Sequence, residues 1–143
     1  MSIYEIWEEG GAYGDSITPS TYNQEYRSHA SLKILSLTKA QDLVVSFGCG
    51  NAAVEGELIN HGRDVRAIDV NTEAVNLALQ KGVEARTGDF FELESSFAAG
   101  ARLFYADGFL GHLFRPSTGL SPFFEKLMKL MPRNGAYLLI SND

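Results

Sequence analysis

The chain has 143 residues, 45% of them hydrophobic and 21% charged, and its 18 acidic against 12 basic groups give a net charge of -6. This is enough for one domain with a real core and excludes a disordered chain, while the acidic balance, with Arg63, Arg66, Arg86 and Arg102 scattered, argues against nucleic acid as a partner. The single cysteine, Cys49, excludes an intrachain disulfide and fits a reducing, cytoplasmic setting.

Residues 1–21 are rich in glycine, aromatics and turn formers and read as a loop or lid. Glu5, Glu8 and Glu9 stand where a signal peptide would carry positive charge. No run approaches the ~18 apolar residues of a membrane span, so no membrane partner is expected. Tyr4, Trp7, Tyr13 and Tyr22 either cover a ligand and its acceptor or cap an apolar face, with Tyr13-Gly14-Asp15 as a hinge. A helix follows over 22–38. Thr21 and Gln24 have capping-box spacing, and Tyr22, Tyr26, Ala30, Ile34 and Leu37 recur at helical intervals.

From residue 42 the pattern alternates between strand and helix, with no internal repeat or linker. Leu43–Phe47 is a short apolar run stopped by Gly48. Residues 52–61 read as a helix ending at Gly62, and Val65–Ile68 as a second strand. Asn71 or Thr72 caps the next helix, which Lys81 and Gly82 end. Val83–Arg86 is a third strand, and Arg102–Ala106 a fourth. A helix from Ser121-Pro122 to Leu130 leads to a fifth strand, Ala136–Ile140. This alternation predicts a single domain of α/β class, a doubly wound and mostly parallel Rossmann-like sheet of about five strands with flanking helices.

The stretch Val44-Val45-Ser46-Phe47-Gly48-Cys49-Gly50-Asn51 runs a strand through a glycine turn into a helix. Glycine there lets the backbone turn tightly and lets a ligand approach the main chain. Asp69 closes the second strand 19 residues after Gly50, where an acidic residue can accept from both hydroxyls of a ribose or simply cap a helix. Gly48-x-Gly50-x-x-Ala53 with Asp69 also satisfies the dinucleotide fingerprint, so these features alone do not choose the ligand. Three histidines and one cysteine without ligand spacing predict no metal site.

Thr87-Gly88-Asp89-Phe90-Phe91-Glu92-Leu93, the run Gly62…Val65…Ile68-Asp69…Ala74-Val75…Ala78 and the turn Leu130-Met131-Pro132-Arg133-Asn134-Gly135 follow in order. With these, residues 40–143 resemble the class I S-adenosylmethionine-dependent methyltransferases, and Gly-Cys-Gly with Gly-Asp-Phe-Phe looks like their thiopurine-type branch. The resemblance implies S-adenosylmethionine as cofactor. Gly48, Cys49 and Gly50 would line its methionine part by backbone contact, and Asp69 would hold the ribose. Val70 would pack on the adenine, with Asp89 and Phe90 at its edge. Ala106 and Asp107, ending the fourth strand, would face the methionine amine and the methyl group. The family usually has an acid where this chain has Ser46, and often a third glycine where it has Ala52. Asp107 or a backbone carbonyl would then hold the ammonium group.

The family fold also normally has seven strands and a final antiparallel hairpin, whereas this sequence stops at Ser141-Asn142-Asp143, as a fragment or a shortened form. The fifth strand is then a sheet edge that invites pairing with another chain, and a homodimer through it is expected. His112, after Gly108-Phe109-Leu110-Gly111, is the candidate base or acceptor-orienting group, against a structural or surface role. His29 reads as solvated, His61 as a helix C-terminal partner, and Cys49 as a small turn residue rather than a nucleophile. The reading that results is a methyltransferase acting at an O or N atom of a small molecule. A non-catalytic cofactor-binding or assembly module and an NAD-dependent oxidoreductase domain are the alternatives.

Overall fold

The computed structural model describes residues 19–141. Tyr4, Trp7 and Tyr13, and with them the expected hinge, lie outside these residues. In chain order the regular elements are α1 (Gln24–Leu37), β1 (Leu43–Phe47), α2 (Ala53–Asn60), β2 (Asp64–Asp69), α3 (Thr72–Gln80), β3 (Glu84–Thr87), β4 (Ala101–Asp107), α4 (Leu110–Leu113), α5 (Ser121–Leu130) and β5 (Tyr137–Ser141). Short 3-10 turns cover Pro19–Thr21, Phe90–Glu92 and Ser95–Ala98.

The five strands form one sheet in the order β3-β2-β1-β4-β5, and all four pairings are parallel. The chain steps outward from β1 to β3, then crosses back to β4 on the other side of β1. That reversal puts a topological switch point between β1 and β4.

Alternation along β1 divides the core in two. Val45 and Phe47 join Phe90, Phe104, Phe123, Leu127 and Leu130, so α5 and the 3-10 turns cover one face. Val44 joins Ile34, Val54, Leu58, Ala78 and Leu103, so α1, α2 and α3 cover the other. The sheet is therefore doubly wound, as the sequence predicts. Both faces of β1 are buried, which is why it reads as an unbroken apolar run.

The start of α1 differs from the expected capping box. The turn Pro19–Thr21 draws the amides of Tyr22 and Asn23 onto the Pro19 carbonyl at 3.1 and 2.7 Å. The helix can begin only after it. Asn23 is the cap, accepting from the Tyr26 amide at 2.9 Å, so the helix spans 24–37 rather than 22–38 and Tyr22 precedes it. At the other end Arg63 donates to the carbonyls of Leu35 and Thr38 at 3.2 and 2.9 Å, satisfying acceptors that the helix end leaves open. Asn71, not Thr72, caps α3, through the amides of Glu73 and Ala74. The strand edges fall within a residue or so of those expected.

Candidate functional site

At the C-terminal end of β1 the loop 48–52 runs through left-handed backbone. Gly48, Gly50 and Ala52 have φ of 68, 53 and 56°. Ala52 thus adopts the conformation that a third glycine would supply. The Gly48 amide donates to the Ile68 carbonyl at 2.8 Å, which anchors the loop to β2. The Gly50 amide donates to Asp69 Oδ2 at 2.9 Å, and the Asn71 amide to Asp69 Oδ1 at 2.9 Å. Asp69 therefore ties the glycine loop to the loop after β2. Each carboxylate oxygen retains a second lone pair for a ligand hydroxyl.

Beside the loop lies a small cavity of about 40 Å³ whose wall includes Cys49, Gly50, Glu55, Tyr105 and Asp107. Glu55 reaches it from the first turn of α2 and is 3% exposed. Ser46 Oγ donates to Glu55 Oε1 at 2.5 Å. Burial raises the Glu55 carboxyl to about 7, with Asp107 and Asp69 pushing the same way and the Ser46 hydrogen bond opposing. Asp107 is held on both oxygens, by the Tyr26 hydroxyl at 2.8 Å and the Tyr105 hydroxyl at 3.0 Å. Burial, then Glu55 and Asp107, pushes the Tyr105 phenol up. Burial likewise pushes up the Cys49 thiol, which suits a packed turn residue rather than a nucleophile.

The structure brings Gly48, Cys49, Gly50, Asp69 and Asp107 together around the ends of β1, β2 and β4. Val70, just beyond Asp69, is 74% exposed and open to a planar ligand. Asp89 and Phe90 separate in role. Asp89 is exposed and caps its own turn through the Phe91 amide at 2.8 Å. The Phe90 ring is in the core, stacked on Phe123 at 5.1 Å and edge-on to Phe47 at 4.8 Å, which leaves its backbone for the adenine edge that the sequence assigns to it. Ala106 is fully buried, so of the pair ending β4 only Asp107 meets the cavity.

His112 is exposed on α4 and lies outside the cavity lining. Tyr22 is exposed ahead of α1. His29 is exposed near Glu25, and His61 Nδ1 meets the Glu57 carbonyl at 2.8 Å at the end of α2, both as the sequence suggests. Glu55, Tyr105 and Tyr26 are site residues that the sequence reading missed. The signal for Glu55 was an acidic residue beside the buried Val54 in an otherwise apolar helix start. Among the described residues no His, Cys, Asp or Glu cluster could hold a metal ion, and no helix is long and apolar enough to cross a membrane.

No family model matches the chain. It is 58% identical over 142 residues to a tabtoxin biosynthesis enzyme of Pseudomonas amygdali pv. tabaci, a match covering 99% of this chain and 56% of that protein. The chain thus spans about half the length of the curated relative it matches. Among solved structures it is similar to a SAM-dependent methyltransferase of Methanosarcina mazei, with a TM-score of 0.62 and 24% identity over 76% of this chain and 55% of that one. It is also similar to phosphoethanolamine N-methyltransferase 2 of Haemonchus contortus, solved with phosphomonomethylethanolamine and S-adenosylhomocysteine. There the TM-score is 0.68 and the identity 18%, covering 96% of this chain and 31% of that one. The parallel sheet, its strand order and these likenesses agree: the chain has the class I, Rossmann-like fold of the S-adenosylmethionine-dependent methyltransferases.

Proposed function

We propose that the chain binds S-adenosylmethionine and forms the cofactor-binding part of a methyltransferase acting at an O or N atom of a small molecule. The observation that carries this reading is the Gly50–Asp69 hydrogen bond beside a carboxylate-lined cavity at the switch point. Asp69 would accept from a ribose with the lone pairs that the Gly50 and Asn71 amides leave open. The exposed Val70 and Asp89 offer a face and an edge to adenine. Glu55 and Asp107 suit the positive end of an amino acid. When bound, the cofactor supplies a methyl carbon activated by sulfonium. The protein's part is then to hold and align an acceptor and to keep the reacting atoms close.

The carboxylates also separate this reading from a dinucleotide site. A pyrophosphate at the glycine loop would sit against Glu55 and Asp107, where like charge repels it. The name of the Pseudomonas relative, a biosynthesis enzyme for tabtoxin, accords with a small acceptor. In this reading His112, exposed just past β4, orients the acceptor or takes its proton, a step needed only when the acceptor must lose one. The protein works in the cytoplasm and self-associates along β5.

Calorimetric titration with S-adenosylmethionine, S-adenosylhomocysteine and NAD tests the reading. Both adenosyl ligands should bind, NAD should not, and Asp69→Ala should abolish binding. Preference for NAD, or no adenosyl binding by a folded sample, overturns it. The second outcome would move a non-catalytic assembly role to first place.

A further inference from the structure

The strand position where a ligand-facing acid is expected holds Ser46, yet the site is not short of a carboxylate. Ser46 is buried, and its hydroxyl donates to Glu55 Oε1 nine residues later. The strand and the helix together place a carboxylate in the wall of the cavity beside Cys49 and Gly50. A buried carboxylate is costly unless a cation or several hydrogen bonds offset it. The charges acting on Glu55 are those of Asp107 and Asp69, both negative. The ionisable Tyr105 and Cys49 face it as well. The stem of Lys81 lies against Gly56, on the same helix as Glu55, and its charge acts on the Cys49 thiol. None of the ion pairs among the described residues includes Glu55. The other cavity carboxylate, Asp107, is engaged on both oxygens by tyrosine hydroxyls.

We propose that Glu55, oriented by Ser46, is the counter-ion that this cavity presents to the ammonium of an amino-acid ligand, and so the residue that selects a nucleoside bearing an amino acid over one without it. The inference rests on the S-adenosylmethionine reading and deepens it. It assigns to α2 a role expected at the end of β1. Because burial and negative neighbours hold part of the carboxyl protonated near neutral pH, entry of an ammonium displaces that proton to solvent. The Glu55 O–H bond breaks, and the carboxylate that remains pairs with the ligand's positive charge.

The test is calorimetric titration with S-adenosylhomocysteine and with methylthioadenosine, which keeps the nucleoside and lacks the amino acid. It is run at pH 7 in two buffers of different ionisation enthalpy. The unaltered chain should release a fraction of a proton with the first ligand and none with the second. Glu55→Gln should lose roughly ten- to a hundredfold in affinity for S-adenosylhomocysteine, keep its affinity for methylthioadenosine, and show no proton release. Ser46→Asp combined with Glu55→Gln should restore the preference by returning the carboxylate to the strand. Should Glu55→Gln fail to fold, proton release by the unaltered chain decides. Equal losses for both ligands, no loss for either, or absent proton release overturns the proposal while the cofactor reading stands. Failure of the unaltered chain to bind either ligand overturns both.

Discussion

The hydroxyl of Tyr26 donates to Oδ1 of Asp107 at 2.8 Å, joining α1 to the end of β4 across 81 residues of sequence. The same hydroxyl meets Ser141 Oγ at the end of β5. One side chain thus pins the helix to two strands beside the cavity. Tyr26→Phe keeps the ring and removes the hydroxyl, leaving Asp107 with one hydrogen bond fewer in a partly buried place. The expected loss is about 1–2 kcal/mol, read as a lower urea midpoint with an unchanged slope.

Two glycines separate backbone strain from crowding. Gly62 has φ of 79° and open space where a side chain would grow, so Gly62→Ala should destabilise by about 1 kcal/mol, the cost of left-handed backbone alone. Gly48 has φ of 68°, and a Cβ there would come within 2.6 Å of the Phe109 ring. That ring packs against Phe47, Phe90 and Phe123. Gly48→Ala should therefore cost ~1–3 kcal/mol more than Gly62→Ala, and Phe109→Leu in the same chain should recover part of the difference. Urea unfolding of the four proteins checks both statements.

Glu55 gives the fold a pH dependence of definite sign. Its carboxyl lies at 4.5 when exposed in the unfolded chain and at about 7 when folded. Between these values the folded state binds the extra proton. This group's contribution is fully present below pH 4.5 and is lost as pH rises through 7. The span is on the order of 3 kcal/mol. Glu55→Gln should remove that slope, so the variant should gain on the unaltered chain as pH rises from 5 to 8. A difference in unfolding free energy that stays flat over this range would contradict it. Glu94 runs the other way. The Arg86 hydrogen bond holds it down to about 2, so its contribution is present above pH 4.5 and fades towards pH 2.

The edge strand β5 supports the self-association part of the proposal. Among the described residues it pairs with β4 alone, and Tyr137 and Ile140 are 43 and 37% exposed. Light scattering at rising concentration should show dimers or larger species. Ile140→Lys should shift them towards monomer, because a charged side chain on an open edge opposes pairing. A monomer at high concentration in the unaltered chain counts against it.

Much of the fold was legible because its signals are local. β1 is an apolar run between turn residues, and the glycine loop and Asp69 sit at fixed spacing in one strand–helix–strand unit. The start of α1 was misread because Thr21 has the right spacing to Gln24, while Pro19 commits Thr21 to a preceding turn. Phe90 follows Asp89 in the motif. Its ring turns inward because Phe47, Phe109 and Phe123 supply a buried surface that no window of sequence reveals. Glu55 was missed for a related reason. Its meeting with Ser46 depends on how α2 rotates over the sheet, which is a tertiary fact. Tyr105, inside an apolar strand, reads as core, and only its hydroxyl's partner makes it part of the site.

The placement of β1 between β2 and β4 also bears on how the site comes into being. Leu43 pairs with Asp64 on one side and with Ala101 on the other, so the second pairing closes a much longer loop. Closing it is the slower event, since distant partners must meet before their contacts stabilise anything. During synthesis the glycine loop and Asp69 emerge first, while β1 still lacks β4 and the residues that cover its Val45 and Phe47 face. Tyr105 and Asp107, which complete the cavity, emerge later and must dock alongside β1. The cavity beside the glycine loop is therefore complete only once the second half of the sheet has joined the first.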